Sequence, residues 1–219
     1  MNGVNDNNLN TPPPLLKEKA YRTIKDGIMH EVFRPGQFLS ERQLIDYLGM
    51  SKTPIKAALE RLEAEGFITV SPKQGIIVRE MSIEKISNIY DLRIALEMFV
   101  VEQLSGKLRN DQIDEIEKNL LKTRELAVSE DEKGFAQADA EFHLLLCKFS
   151  GNAEIFRVME NYQDHLYRVV LRVLKRDSGR MNSSYVDHVG IFESLLTNDS
   201  EQPQKLMKEH ILYGKRLFL

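Results

Sequence analysis

The chain has 219 residues, 42% of them hydrophobic, enough for one large domain or two ordinary ones with packed cores. No apolar run is long enough to cross a bilayer, no signal-peptide pattern opens the chain, and one cysteine, Cys147, excludes an internal disulfide; a cytoplasmic protein is expected. The net charge of −3 gives no general attraction to nucleic acid: residues 1–80 carry 11 Lys/Arg against 10 Asp/Glu, the remainder 19 against 23.

Residues 1–14 are Asn-rich, end in Pro12-Pro13-Pro14 and offer little to bury. They read as a disordered arm or as a segment appended to the protein. A helix is predicted from about 15 to 32, with Leu16, Ala20, Ile24 and Ile28 as its apolar stripe, ending before Phe33-Arg34-Pro35-Gly36. Ser40 and Gln43 have the spacing of a capping box, Leu44, Ile45 and Leu48 supply a buried face, and Gly49 permits a sharp turn. Ser51 is the expected cap of a third helix, with Pro54 in its first turn, Ile55, Ala58, Leu59 and Leu62 facing inward and Gly66 just past its end. Short β-branched runs at 67–70 and 76–78 flank a Pro/Gly turn, so a hairpin follows.

Two helices joined by a glycine turn and trailed by a hairpin describe a winged helix-turn-helix, whose second helix enters the major groove of DNA. Ser51, Lys52 and Thr53 open that helix, and Lys56 stands one turn on. Hydroxyls and backbone N–H groups there suit phosphate, and long cations suit guanine edges. Arg42 would approach from the preceding helix, and Lys73 marks the wing tip. The competing reading is solvated charge around a small three-helix domain.

From Ser82 onward the pattern is helix after helix, at about 83–104, 110–127, 130–149, 153–176, 184–197 and 201–218, with Ser129 and Glu132 spaced as another capping box. The fold class is therefore mainly α: an N-terminal winged helix-turn-helix over 15–79 plus a C-terminal all-α helical bundle over 83–219. Asp139 and His143 lie one helical turn apart and can share a metal ion. His188 and His210, 22 residues apart, are candidate further ligands from two antiparallel helices, as helical bundles build metal sites. Spacing alone equally allows core or surface histidines with no metal. Cys147 reads as a buried inert thiol, with a fifth soft ligand as the alternative, and His30 and His165 receive no role.

Two segments carry a resemblance. Arg34-Pro-Gly-Gln-Phe-Leu-Ser-Glu-Arg, Leu-Gly-Met-Ser-Lys-Thr-Pro-Ile-Lys-Ala-Ala-Leu and Leu-Glu-Ala-Glu-Gly-Phe-Ile resemble the winged-helix domain of GntR-type bacterial transcription regulators. The resemblance implies operator contacts at Arg42, Lys52 and Lys56. Relatives usually carry arginine at those positions and glutamate where this chain has Ala57, so their operator sequence does not transfer. Residues 83–217, through Tyr90-Asp-Leu-Arg93 with Glu97, Asp139-x-x-x-His143, Gly151-Asn152, His188 and His210, resemble the FCD effector domain of FadR-type members.

That resemblance implies a divalent ion, Zn²⁺ or Ni²⁺, on Asp139, His143, His188 and His210, and a small carboxylate effector. Arg93 would hold the acid, or else pair structurally with Glu97; Arg168 and Arg172 are second choices on helical geometry. It further implies double-stranded operator DNA as partner, a homodimer and repression. The rivals are a metal-dependent hydrolase using the Asp/His₃ set, and a DNA-binding protein whose helical domain is empty.

Overall fold

A computed structural model describes residues 15–71, 75–177 and 179–218, so the arm expected over 1–14 and Lys73 lie outside the described residues. The chain divides into two compact units, 1–80 and 81–219.

The first unit runs α1 (Leu16–Met29), β1 (Phe38–Leu39), α2 (Glu41–Leu48), α3 (Lys52–Ala64), β2 (Ile68–Ser71) and β3 (Gly75–Val78). The capping box at the start of α2 is present: the Gln43 N–H donates to Ser40 Oγ (3.1 Å) and the Ser40 N–H to Gln43 Oε1 (2.8 Å). Gly49 takes the left-handed conformation (φ 62°) that turns the chain into α3. At the far end of α3, Gly66 (φ 80°) follows the helix, with the Phe67 N–H reaching the Leu62 carbonyl (2.9 Å) and the Gly66 N–H that of Glu63 (2.9 Å), a Schellman ending.

Three expectations need correction here. The first helix stops at Met29 because Glu31 adopts a positive φ of 60°, and Leu16 is exposed while Tyr21 takes a place in the stripe. Ser51 occupies the cap position of α3, but its hydroxyl makes no capping bond. The hairpin gains a third strand, because two-residue β1 pairs antiparallel with β3 (Phe38 opposite Ile77), giving the order β1-β3-β2.

The α1–α3 contact buries Ala20, Ile24, Ile28, Ile55, Leu59 and Leu62. A polar clamp locks it from outside: Tyr21 donates to Glu65 (2.7 Å), Lys25 to Tyr21 (2.6 Å), and the Arg61 guanidinium lies 3.6 Å from the Tyr21 ring centre.

Among its described residues the second unit has helices as its only regular elements: α4 (Ile83–Leu104), α5 (Asn110–Val128), α6 (Glu132–Phe149), α7 (Ala153–Leu174), α8 (Arg180–Leu195) and α9 (Glu201–Arg216). Helix α6 is central, packing on α5, α7, α4 and α8, while α4 packs on α9 and α8 on α9. Val100, Val101, Phe142, Leu146, Ile191, Leu195, Met207 and Ile211 form the core. Gly214 lets α9 approach α4: a Cβ there would stand 2.4 Å from the Tyr90 hydroxyl.

Two boundaries differ from expectation. The cap of α6 is Asp131, which accepts from the Gly134 N–H (3.0 Å), not Ser129. Helix α8 begins at Arg180, one turn before the expected 184.

Candidate functional site

On the first unit, Arg42, Ser51, Lys52, Thr53 and Lys56 are all exposed, on α2 and the opening of α3. The first turn of α3 carries no acidic side chain, so its free N–H groups and uncapped Ser51 hydroxyl face solvent without a competing anion on the helix itself. Lys52 pairs with Glu41 (2.6 Å). Arg42 and Lys56 make no ion pair among the described residues.

In the second unit the structure brings Asp139 and His143 (α6), His188 (α8) and His210 (α9) together, all buried, with one donor atom from each lying within 4.8 Å of the others. His188 Nε2 is 3.3 Å from His210 Nε2 and 3.6 Å from Asp139 Oδ1. Two ligands bonded to one ion at ~2.1 Å place their donor atoms ~3.0–3.4 Å apart, so these separations are close to the edges of a coordination shell. His143 Nε2 is buried with no hydrogen-bond partner among the described residues, and a cation is the partner such an atom lacks.

The surroundings orient the rings. Glu97 of α4 accepts from His143 Nδ1 (2.5 Å), and Asp187 of α8 lies 3.0 Å from His210 Nδ1. Each carboxylate favours the Nδ1–H tautomer and turns the Nε2 lone pair inward, as around metal-bound histidines. Ser184 donates to Asp139 Oδ1 (3.0 Å), and the Phe142 ring stacks on His188 with centres 4.1 Å apart. Burial, then the neighbouring His210 and His143, push His188 well below its ordinary range; burial also takes His210 down to about 4 against the opposing bond to Asp187. Both rings are therefore neutral at pH 7, the form that ligates a metal. Burial works to raise Glu97, but Arg93 and His143 prevail and hold it at about 2. The donor set fits a divalent cation.

A cavity of about 20 Å³ touches the cluster on its Asp139 and His210 side, walled also by Tyr90, Arg93, Arg180 and Ser184. Arg93 is engaged on one side only: its Nε pairs with Glu97 (2.6 Å), while its buried Nη2 makes no hydrogen bond among the described residues. Arg168 is buried on α7 but is not among the cavity-lining residues, and Arg172 donates to the Met81 carbonyl (3.3 Å). Cys147 is buried outside the four-residue cluster, and burial pushes its thiol up, away from the thiolate. Sequence reasoning missed Arg180, Asp187 and Glu97 as partners of the histidines. Only the pairing of Glu97 with Arg93 was visible, at i,i+4.

Among the described residues, no helix is long and apolar enough to cross a membrane. The model for the gntR family of bacterial regulatory proteins matches residues 16–78, and that for the FCD domain residues 88–213. The chain is 26% identical to the uncharacterized HTH-type transcriptional regulator YdhC of Bacillus subtilis, over 95% of this chain and 91% of the relative. It is 25% identical to the HTH-type transcriptional repressor RspR of Escherichia coli, over 91% and 87%. In fold it is similar to E. coli McbR/YncC, with a TM-score of 0.77 at 19% identity, covering 93% of this chain and 97% of that one. A putative GntR regulator from Rhodococcus gives 0.79 at 21%, over 92% and 96%. The chain belongs to the GntR family, as a member with an FCD domain behind its winged helix-turn-helix, and it is a transcriptional regulator that binds operator DNA.

Proposed function

We propose that this regulator is a homodimeric repressor whose operator affinity is set by a small organic acid bound beside a divalent metal ion in the FCD unit. Asp139, His143, His188 and His210 would hold the ion, which when bound supplies a Lewis-acidic position for an anionic ligand. Arg93 Nη2, buried and unbonded in the cavity wall, would take part of the acid's charge through an N–H···O bond. The observation that carries this reading is His143 Nε2, a buried atom of the four-residue cluster with no hydrogen-bond partner among the described residues; Arg93, whose Nη2 is likewise buried and unbonded, lines the cavity that Asp139 and His210 also line.

On the DNA side, Arg42, Ser51, Lys52, Thr53 and Lys56 would meet phosphates and base edges. A dimer would read two half-sites of a short pseudo-palindrome. The acid can change DNA affinity only by binding one dimer arrangement better than another. The test is the affinity for a duplex selected from random sequence, measured with chelator, with Zn²⁺ or Ni²⁺, and with the metal plus a panel of small carboxylates. A metal-dependent loss of affinity on adding an acid is expected. Affinity indifferent to both metal and every acid would refute the reading.

A further inference from the structure

Two of the three clustered histidines have a carboxylate behind the ring, Glu97 at His143 Nδ1 and Asp187 at His210 Nδ1. His188 differs. It is fully buried, and its Nδ1 has no hydrogen-bond partner among the described residues. What meets its ring instead is Phe142, also fully buried, lying face to face with centres 4.1 Å apart and planes 12° from parallel. The contact follows from the fold. Phe142 precedes His143 on α6, so its side chain leaves the helix about 100° round from that of His143 and reaches α8, which packs on α6. The same phenyl ring meets His143 edge-on, at 5.4 Å and 83°.

A carboxylate behind a ligating imidazole fixes the ring and offsets the positive charge that a bound ion spreads onto it. A phenyl face can do both by another route. Packing fixes the plane, and the negative π cloud attracts a ring that carries positive charge. An imidazole bound to a divalent cation is such a ring; a neutral imidazole is much less so. The position is buried, so water does not screen the attraction.

We propose that Phe142 is the outer partner of His188, a positioning residue whose π face favours the metal-bound form of that histidine in the place that a carboxylate fills behind the other two. The inference rests on the metal reading above. It gives Phe142 a part in ion affinity beyond its part in the core.

The test replaces Phe142 with mono-, di-, tri- and pentafluorophenylalanine, which keep the ring and drain its face of negative charge step by step. Zn²⁺ affinity is measured by competition with a chelator, and stability by urea midpoints of the metal-free chain. Affinity should fall with each step, to roughly tenfold weaker for the pentafluoro ring. Phe142→Leu, which fills much of the space without a π face, should bind Zn²⁺ at least as weakly as the pentafluoro chain. A ring that only fills the core would shift the urea midpoint without a matching trend in Zn²⁺ affinity. Affinity that does not follow the number of fluorines, or a folded Phe142→Leu chain with wild-type affinity, overturns the proposal. A wild-type chain that takes up neither Zn²⁺ nor Ni²⁺ overturns the underlying metal reading, and the proposal with it, which separates the two failures.

Discussion

Replacing Glu97 by glutamine keeps the shape of the side chain and removes its charge, and neither orientation of the amide can replace what the carboxylate does. Glu97 accepts from Arg93 Nε (2.6 Å) through one oxygen and from His143 Nδ1 (2.5 Å) through the other, in a fully buried place. If the glutamine oxygen faces His143, its NH₂ points at the Arg93 N–H. If the oxygen faces Arg93, the NH₂ donates to His143 Nδ1 and forces the ring proton onto Nε2, toward the ion position.

Losing an outer carboxylate of this kind lowers metal affinity ~10–100-fold, or ~1.4–2.8 kcal/mol. Leaving the buried Arg93 charge unpaired costs a further ~3–5 kcal/mol of fold stability. Glu97→Gln should thus lower the urea midpoint of the metal-free protein and weaken Zn²⁺ binding in competition titrations with a chelator. A folded variant with wild-type Zn²⁺ affinity would show that Glu97 does not orient His143 for a metal.

Three further outcomes are expected. Lys56→Ala should weaken operator binding and reduce the log–log salt slope by about one; an unchanged slope removes Lys56 from the interface. Glu41→Gln should strengthen binding about two- to fivefold, ~0.4–1 kcal/mol, because it frees exposed Lys52 from its 2.6 Å pair and removes an anion near phosphate; weaker binding would mean that the pair positions Lys52 for DNA. Metal-free protein should lose stability in acid. His210 in the fold titrates at about 4, below its ordinary 6.5, so the unfolded chain takes the proton first; stability is full above pH ~6.5 and falls toward pH ~4, by ~2 kcal/mol at pH 5 from this ring alone. Urea midpoints that do not fall between pH 7.5 and 5 would contradict neutral buried rings.

The helices were legible because their signals are local. Ser40 with Gln43, Gly49 and Gly66 each sit within four residues of what they control, and each does in the fold what its spacing indicates. Strand β1 was not legible, since two residues carry no periodicity and Phe38 pairs with Ile77, far along the chain. The start of α8 was masked by the Asp177-Ser178-Gly179 break, which made Arg180 look like loop.

The four candidate ligands could be named because Asp139 and His143 are a helical turn apart and His188 and His210 are spaced for two antiparallel helices; the resemblance then implied a metal on all four. What sets the ligands' tautomers could not be named. Glu97 meets His143 across 46 residues and Arg180 meets His210 across 30, and helix packing alone makes those contacts. The Arg93–Glu97 pair was visible at i,i+4, but its burial against His143 was not.

The most direct test of the central claim is native mass spectrometry of the purified chain beside His143→Ala. The account predicts a dimer carrying one divalent ion per protomer, with any retained acid adding its own mass, and a variant dimer with its metal depleted. Full metal occupancy in His143→Ala, or a wild-type chain that holds no ion even after Zn²⁺ or Ni²⁺ is supplied, would contradict it.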